Sequence, residues 1–380
     1  MDDQQHRTPG AALFPRRLGV LLATLVCTTL PIAACSSTDE QQASPANGLS
    51  ATGDAAAGTA DSTAAGSNTG TIEVAAPKLT VLNDGEGQRY LLRFDVPTTA
   101  TPTSADAPIR RGASVIFGFT QEVTGEQPDP APVAPADTVT ASLLLLGSHR
   151  DQTDSVHTPT VGNGTGVPRG EIHTSYEVAQ PTISDNPLNE SMVTGDGFII
   201  DAWQKPNGAV THLSFTAPAG ADDTARALIE DQAYSLFGIQ PVFPEQPVGV
   251  GAQWKVASPK LGDASQLQTV TYTVEAINPT GPGGAPVVDL TVTIDAHPAL
   301  KEIALREVEP GVAGTLHVLS ATTTASGTAR VDLAEPLPTT WYSDTLTRVI
   351  YGPNPDVETS GQQQVVQDTH TIVSMEQPKP

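Results

Sequence analysis

Apolar and polar residues alternate strictly through several segments of this chain. Three segments show the alternation, with these inward positions: Val288, Leu290, Val292 and Ile294 in PVVDLTVTIDA; Val270, Tyr272, Val274 and Ala276 in TVTYTVEAI; Val115, Phe117 and Phe119 in SVIFGFTQEV. A period of two with many β-branched residues is typical of antiparallel strands that have one face in water. The pattern predicts about a dozen such strands.

Turn-forming residues separate these strand candidates. Asn83-Asp84-Gly85, Gly195-Asp196-Gly197 and Pro206-Asn207-Gly208 each combine a glycine with residues that tolerate positive φ. Such triplets are common in the tight reversals that join antiparallel strands. We therefore expect β-hairpins at these three places.

One segment, DDTARALIEDQAYSLFG, has the helical period instead. Asp222 or Asp223 can cap its start, and Gly238 marks its end. Its core-facing stripe is mostly apolar and comprises Ala225, Leu228, Ile229, Gln232, Leu236 and Phe237. The spacing predicts an amphipathic helix of about four turns. A looser pattern in ALKEIALREVEP predicts a second, shorter helix over residues 299–310.

Together these elements predict the fold class. We expect a mainly β protein with a large antiparallel, curved sheet or half-barrel of about a dozen strands, and one amphipathic helix packed on the concave face. Long proline-rich intervals interrupt the strands, but no change of composition divides the pattern into two halves. Residues 72–380 are therefore expected to form a single β-rich domain.

The N-terminus has the composition of an export signal. Arg16 and Arg17 precede the apolar run LGVLLATLVCTTLPIAAC. The run ends in Ile-Ala-Ala-Cys, which resembles the bacterial lipobox and implies lipid attachment to Cys35 and cleavage between Ala34 and Cys35. Residues 1–34 are then a lipoprotein signal peptide, and export through the general secretory route is favoured. The alternative is an ordinary secretory signal that happens to contain a cysteine.

The residues that follow predict a tether. Residues 35–71 are rich in Ser, Thr, Ala and Gly and contain no lysine, arginine or aromatic residue. Such a segment buries too little apolar surface to offset its ordering entropy, so it is predicted to be disordered. The expected location is the extracytoplasmic face of the cell membrane, with the membrane as partner through the lipid anchor.

Cysteine content and charge exclude several classes of function. The chain has two cysteines, and Cys27 lies within the predicted signal peptide. A mature chain whose one cysteine is lipidated has no disulfide, catalytic thiolate or cysteine-ligated zinc. The formal net charge of −23 repels phosphate backbones, so nucleic acid is not expected as a partner.

No sequence motif indicates catalysis. Metalloprotease, nucleophile-elbow, phosphate-loop and EF-hand patterns are missing from the sequence, and His149, His157 and His173 follow no metal-ligand spacing. We therefore predict no catalytic residue, no metal site and no cofactor. Trp203, Trp254 and Trp341 each lie beside a strand candidate, where a core role is expected. A pair of carboxylates acting as a hydrolase stays open as an alternative.

The segment FPEQPVGVGAQW joins the predicted helix to the next strand candidate. Prolines favour extended backbone before them, and Gly249 and Gly251 permit a sharp turn ahead of Trp254. With the preceding helix and the later element GTARVDLAEPLP, this segment resembles a family of actinobacterial-type envelope lipoproteins known only as a domain of unknown function. The resemblance implies a β-rich envelope lipoprotein, similar in fold to half-barrel lipoproteins that carry acyl chains.

Three functions compete at this point. The first is binding of a hydrophobic or lipid ligand, without catalysis, in an apolar pocket beneath the helix formed by Leu228, Ile229, Leu236 and Phe237. The same side chains would serve equally well to fill the core. The second function is a structural or protein-interaction module that binds another envelope protein. The third is the carboxylate-based hydrolase.

Overall fold

The computed structural model describes residues 69–95, 109–150, 160–161, 164–165, 171–282, 284–305, 314–355 and 363–378. The described residues all belong to one compact unit, Ala56–Pro380. The predicted signal peptide, Ala34, Cys35 and residues 36–68 of the predicted tether lie outside the described residues. The first strand begins at Thr69, so residues 69–71, which the composition places in the tether, belong to the sheet.

The described residues form eighteen strands, two α-helices and one 3₁₀ turn. In chain order the strands are β1 Thr69–Glu73, β2 Lys78–Asn83, β3 Glu86–Tyr90, β4 Ile109–Thr124, β5 Thr138–Arg150, β6 Thr160–Val161, β7 Gly164–Thr165, β8 Ile172–Ile183, β9 Ile199–Gln204, β10 Val210–Thr216, β11 Val248–Val250, β12 Gln253–Lys260, β13 Asp263–Asn278, β14 Val287–Pro298, β15 Glu302–Leu305, β16 Gly314–Asp332, β17 Thr340–Gly352 and β18 Gln364–Glu376. The helices are α1 Asn186–Met192 and α2 Asp223–Phe237, and the 3₁₀ turn is Val193–Gly195.

Fourteen of these strands form one antiparallel sheet, which confirms the predicted fold class. Its order is β1-β10-β9-β8-β5-β4-β18-β17-β16-β14-β13-β12-β2, and β15 pairs with β16 beside this path. Strands β3 and β11 form a separate two-stranded sheet, as do β6 and β7. The large sheet is not closed into a barrel, since β1 and β2 are its two ends.

The connection between β1 and β2 shows how strongly the sheet curves. A flat sheet would place these end strands about 58 Å apart across twelve intervals of 4.8 Å, yet only residues 74–77 join them. Four linking residues span at most about 18 Å. The sheet must therefore curl until its two ends approach each other, and its core face is the concave one.

Residues 69–83 connect the two ends of this curled sheet. Every strand pair is antiparallel, so β1 and β2, which are twelve intervals apart, point the same way. The first half of the segment pairs with β10, where Thr71 faces Ser214, and the second half pairs with β12, where Val81 faces Trp254. One extended segment thus holds both ends of the sheet.

Helix α2 packs between the strands at the two ends of the sheet. Its Tyr234 ring makes an edge-on contact with Phe215 of β10, with ring centroids 5.4 Å apart. The same ring lies so close to Gly262, in the turn between β12 and β13, that a Cβ there would be 2.5 Å from Tyr234 Cδ2. The helix therefore packs inside the curl, as predicted for the concave face.

The predicted bounds of α2 are confirmed. Asp222 is the N-cap, and its side chain accepts a hydrogen bond from the Ala225 amide at 2.7 Å. Gly238 is the C-cap, and its amide donates to the Tyr234 carbonyl at 2.9 Å. The hydrogen bond from Ala225 also lowers the pKa of Asp222. Capping chemistry was therefore a reliable guide to both ends.

Helix predictions elsewhere were wrong in two places. A second α-helix, α1, lies between β8 and β9, and its N-cap Asp185 accepts from Leu188 N. Its seven residues are too short for the helical period to stand out. Conversely, residues 299–310 do not form the predicted helix, because Glu302–Leu305 pair with β16 as β15. The rest of that segment, residues 306–310, lies outside the described residues.

Two of the three expected hairpins are corrected as well. Pro206-Asn207-Gly208 does join the paired strands β9 and β10, with Gly208 at φ +94°. Asn83-Asp84-Gly85 instead connects β2 to β3, which belong to different sheets. Gly195-Asp196-Gly197 begins at the last residue of the 3₁₀ turn, and the connection from β8 to β9 contains α1 as well. Turn residues mark a change of direction but not the partner strand.

A β-bulge in β13 turns Ala276, which was predicted to point inward, to the outer face of the sheet. Val270, Tyr272 and Val274 of β13 point into the core as expected, but Ala276 is exposed. The register shifts between Val274 and Ala276, because Glu275 is an extra residue opposite β14. A single inserted residue moves each later side chain to the other face.

The segment that carries Gly249 of β11 and Gly251 just after it packs closely against β3. A Cβ on Gly249 would lie 2.3 Å from the Glu86 carbonyl oxygen, and Gly251 has φ +79°. Both positions therefore require glycine for reasons of backbone geometry.

We expect Gly249→Val and Gly251→Val each to lower the free energy of unfolding by about 1–3 kcal/mol. Urea denaturation measures this loss. Gly125→Val is the matched control, because a Cβ on Gly125 would have no other atom within 4 Å and the residue has no positive φ. If the variants at Gly249 and Gly251 proved as stable as the control, the architectural role of this segment would be refuted.

Candidate functional site

The residues of the predicted pocket lie in the packed core. Ile229, Leu236 and Phe237 are at most 3% exposed, and Leu228 is partly buried against the same cluster. The Phe237 ring packs on Tyr176 with centroids 5.5 Å apart. Ile229 lies over Gly195, where a Cβ would be 2.2 Å from its Cδ1. These contacts give the four side chains a role in filling the curl.

The concave face continues beyond this core. Phe117 pairs with Thr371, Thr371 with Thr345, and Thr345 with Ala325, so these four side chains form one row across β4, β18, β17 and β16. Phe119, Thr369, Thr347 and Thr323 form the next row in the same way. All eight side chains are partly exposed. We call them the open rows.

The open rows share the face of the buried core. The row immediately before them contains Val115, Val373, Ser343 and Gly327, which are all buried. Partner residues across neighbouring strands point to the same side of a sheet. Phe117 and Phe119 are therefore partly exposed aromatic rings on the inner surface of the curl.

Around the open rows, charged side chains lie on the outer face of these four strands, and Arg111, nearer the start of β4, is the buried exception on the inner face. The inner positions from 113 to 123, 321 to 331, 341 to 351 and 365 to 375 carry no acidic or basic side chain. The acidic and basic residues over the same ranges all take outer positions: Glu122, Arg330, Asp344, Arg348, Asp368 and His370. In a chain with net charge −23, the open rows are a neutral surface.

Hydroxyl groups in the open rows bond to one another and to the backbone. Thr323 Oγ1 donates to the Ala296 carbonyl at 2.8 Å and lies 3.1 Å from Thr347 Oγ1. Just beyond the rows, Gln367 Nε2 donates to Gln121 Oε1 at 2.8 Å. The surface therefore offers methyl groups, aromatic rings and neutral hydrogen-bonding groups.

Two tyrosines near α2 also stay neutral at ordinary pH. Burial raises the pKa of Tyr272 above its usual value. Burial, reinforced by the neighbouring Glu230 carboxylate, raises the pKa of Tyr234 to about 12. Both phenols are therefore protonated hydrogen-bond donors rather than anions.

Several buried polar atoms have no hydrogen-bond partner among the described residues. They include Trp203 Nε1, Gln204 Nε2, and both amide atoms of Gln232 and of Gln240. Gln232 belongs to the core-facing stripe of α2, and Gln240 follows the end of that helix. Unpaired buried polar groups are uncommon in proteins, so each one needs a physical explanation.

A second polar cluster lies on the outer face of β8, β9 and β10. His173 Nε2 is 3.0 Å from Asp201 Oδ1, and the two side chains are 4% and 1% exposed. The His173 ring stacks on Trp203 with centroids 4.4 Å apart. The sequence pattern favours a scattered, partly exposed histidine at this position, but His173 is buried and paired. The cluster joins β8 to β9 through side chains.

Metal sites and membrane-spanning helices are both missing from the described residues. No group of three or more histidine, cysteine, aspartate or glutamate side chains is placed to hold a metal ion within the described part of the chain. None of the helices described there is both long enough and apolar enough to cross a membrane.

Two comparisons with known protein sequences gave no match. No protein-family model matches the chain, and no curated protein matches it significantly in sequence. The resemblance carried by FPEQPVGVGAQW therefore stays a prediction.

Proposed function

We propose that this chain is a membrane-anchored lipoprotein of the cell envelope that binds an uncharged hydrophobic or lipid ligand on the open rows, without catalysis. In this proposal, lipid on Cys35 holds the protein at the extracytoplasmic face of the membrane. The segment ahead of β1 gives the folded part reach to ligands in the surrounding envelope.

One observation carries the binding proposal: the open rows of β4, β16, β17 and β18 are partly exposed, include two phenylalanines and have no charged side chain. A sheet face that only contacts water gains solubility from charged residues, as the outer face of the same strands does. Concave, largely apolar surfaces with a few polar groups are typical of small-molecule sites. The open rows have this character.

The expected energetic contribution of the rings is modest but measurable. Complete burial of a phenylalanine side chain contributes about 1.5–3 kcal/mol. Phe117 and Phe119 are already partly buried, so covering what remains of each contributes on the order of 1 kcal/mol. Together they would change a dissociation constant by roughly thirtyfold.

A charge placed within the open rows tests the proposal. We expect Thr345→Asp to weaken binding of the neutral fluorescent probe N-phenyl-1-naphthylamine at least tenfold, because the ligand would have to desolvate a carboxylate. The measurement is a fluorescence titration of the full chain carrying Cys35→Ala, so that no covalently attached lipid competes. The ligand taken up in the native host is then identified by native mass spectrometry of the unmodified lipoprotein.

Thr324→Asp is the matched control. Thr324 lies on the adjacent strand β16 and is exposed on the outer face, opposite Leu346. The control makes the same substitution in the same sheet and should leave probe binding unchanged. Equal binding by wild type, Thr345→Asp and Thr324→Asp would show that the probe does not use the open rows, and no saturable binding by wild type would reject the ligand-binding function.

A further inference from the structure

Two buried glutamines lack the hydrogen bonds that a buried amide normally makes. Gln232 is 4% exposed and Gln240 is 6% exposed, and all four of their amide atoms are without a hydrogen-bond partner among the residues that the structure describes. Leaving a buried polar group unpaired costs about 1–3 kcal/mol. For folding alone, a methionine of similar length would be the more stable residue at either position.

Gln240 lies near the border between the core and the open rows, and Gln232 lies on a helix that contacts one of the strands of these rows. The Gln240 carbonyl is 3.5 Å from the hydroxyl of Tyr272. Tyr272 pairs with Val292, and Val292 pairs with Gly327 of the core row that precedes the open rows. Helix α2, which carries Gln232, contacts β4, the strand of Phe117 and Phe119. A ligand on the open rows that extends toward the helix would approach these amides.

A third glutamine provides the contrast. Gln268 Nε2 donates to the Gly238 carbonyl at 3.1 Å, so its side chain fastens the end of α2 to β13. Its hydrogen bond lies within the protein. The same residue type, on the same side of the sheet, thus occurs once with a structural partner and twice without one.

We infer that Gln232 and Gln240 bind the polar group of the ligand, and that this group is uncharged: a carboxamide, ester or hydroxyl on an apolar chain. The inference rests on the proposed function, because it names the chemical class of ligand for the same surface. An amide side chain supplies both a donor and an acceptor, which matches such groups. The open rows carry no charge that could neutralise an ionised head group, and burying an unpaired charge is costly.

The first part of the test measures stability without ligand. We expect Gln232→Met and Gln240→Met each to raise the melting temperature, because each variant removes an unpaired buried amide. Gln268→Met should lower it, because that variant removes a hydrogen bond that is already made. A destabilising effect of both Gln232→Met and Gln240→Met would mean that their amides are paired within the folded protein, and the inference would be wrong.

The second part measures ligand selectivity. Dodecane, lauramide and laurate, which share a twelve-carbon chain, are compared by displacement of N-phenyl-1-naphthylamine from the full chain carrying Cys35→Ala. Wild type should bind lauramide roughly tenfold more tightly than dodecane and more tightly than laurate, and Gln232→Met and Gln240→Met should reduce the lauramide preference. Gln268→Met should keep it.

The outcomes separate this inference from the proposal on which it rests. If none of the three compounds displaced the probe, the ligand-binding function itself would be rejected. If all three displaced it equally well, and the glutamine variants left their order unchanged, the open rows would bind apolar chains but the amides would not select the head group. Preference for laurate would likewise overturn the uncharged class.

Discussion

Arg348→Met is expected to lower the free energy of unfolding by about 3–5 kcal/mol, whereas Arg330→Met should change it by less than about 1 kcal/mol. Both arginines pair with an aspartate across neighbouring strands on the outer face of the sheet. They differ in burial. Arg348 and Asp368 are 9% and 7% exposed, while Arg330 and Asp289 are 49% and 40% exposed.

The geometry of the buried pair explains the size of this effect. Arg348 Nε and Nη2 donate to the two oxygens of Asp368 at 2.8 and 2.6 Å. Arg348 Nη1 also donates to the Asp129 carbonyl, and Asp368 accepts from the Val133 amide. The pair therefore fixes the segment between β4 and β5 on the outer face. Asp368 raises the pKa of Arg348 further, so the guanidinium stays charged.

Removing one partner leaves the other charge buried and unpaired, which is the main source of the loss. Urea denaturation of the two single variants measures the difference. A double variant, Arg348→Met with Asp368→Leu, should recover part of the stability, because both charges leave together. If Arg348→Met and Arg330→Met cost the same, burial would not determine the strength of these pairs.

The local pattern predicted the helix and strand types well because local chemistry determines them. The Asp222 cap, the apolar stripe and Gly238 fixed α2 to within one residue. In β14, the alternation from Val288 to Ile294 placed the core face correctly. Where the pattern failed, the cause was nonlocal. The extra residue Glu275 in β13 can be recognised only against its partner strand.

The sequence did not show that the two ends of the sheet approach each other. Residues 69–83 look like two ordinary short strands, and nothing in their composition tells that β1 pairs with β10 and β2 with β12. Pairing between segments so far apart in the chain depends on the whole topology. The sheet was predicted to be curved because the apolar stripe of α2 has to pack against a concave surface. The structure has this arrangement.

The sequence pattern already shows the separation of charged and neutral residues at the candidate site. In β17, TWYSDTLTRVIYG, Asp344 and Arg348 have even numbers while Thr345 and Thr347 have odd numbers, so a period of two already separates charged from neutral positions. Strand β18 repeats this with Asp368 and His370 against Thr369 and Thr371. What the pattern lacks is the information that the neutral face is the inner one and that it extends past the helix.

For the glutamines, the sequence pattern alone does not show which residues are unusual. Gln232 is visible as the polar member of the core-facing stripe of α2, which is an unusual place for an amide. Gln240 lies in an extended segment without any periodicity, so nothing in the sequence distinguishes it from the paired Gln268. Only the contacts show that two of the three amides, those of Gln232 and Gln240, have no hydrogen-bond partner among the described residues.

Trp254→Ala should be as damaging as Arg348→Met, at about 3–5 kcal/mol, because Trp254 is at the centre of an aromatic cluster. It is fully buried, stacks on Tyr272 with centroids 5.4 Å apart, and lies 5.9 Å from Phe243. Its Nε1 donates to the Val242 carbonyl at 2.8 Å. This bond connects the last residue of the segment FPEQPVGVGAQW to the residue that precedes the segment.

Substituting phenylalanine for each of two tryptophans separates the contribution of packing to stability from that of the indole hydrogen bond. Trp203 is also fully buried, but its Nε1 has no hydrogen-bond partner among the described residues. Trp254→Phe and Trp203→Phe remove the same volume, yet only the first leaves a carbonyl unpaired. We therefore expect Trp254→Phe to cost about 1–3 kcal/mol more than Trp203→Phe in urea denaturation. Equal costs would mean that the Val242 hydrogen bond contributes little, and that Trp254 anchors its strand through packing alone.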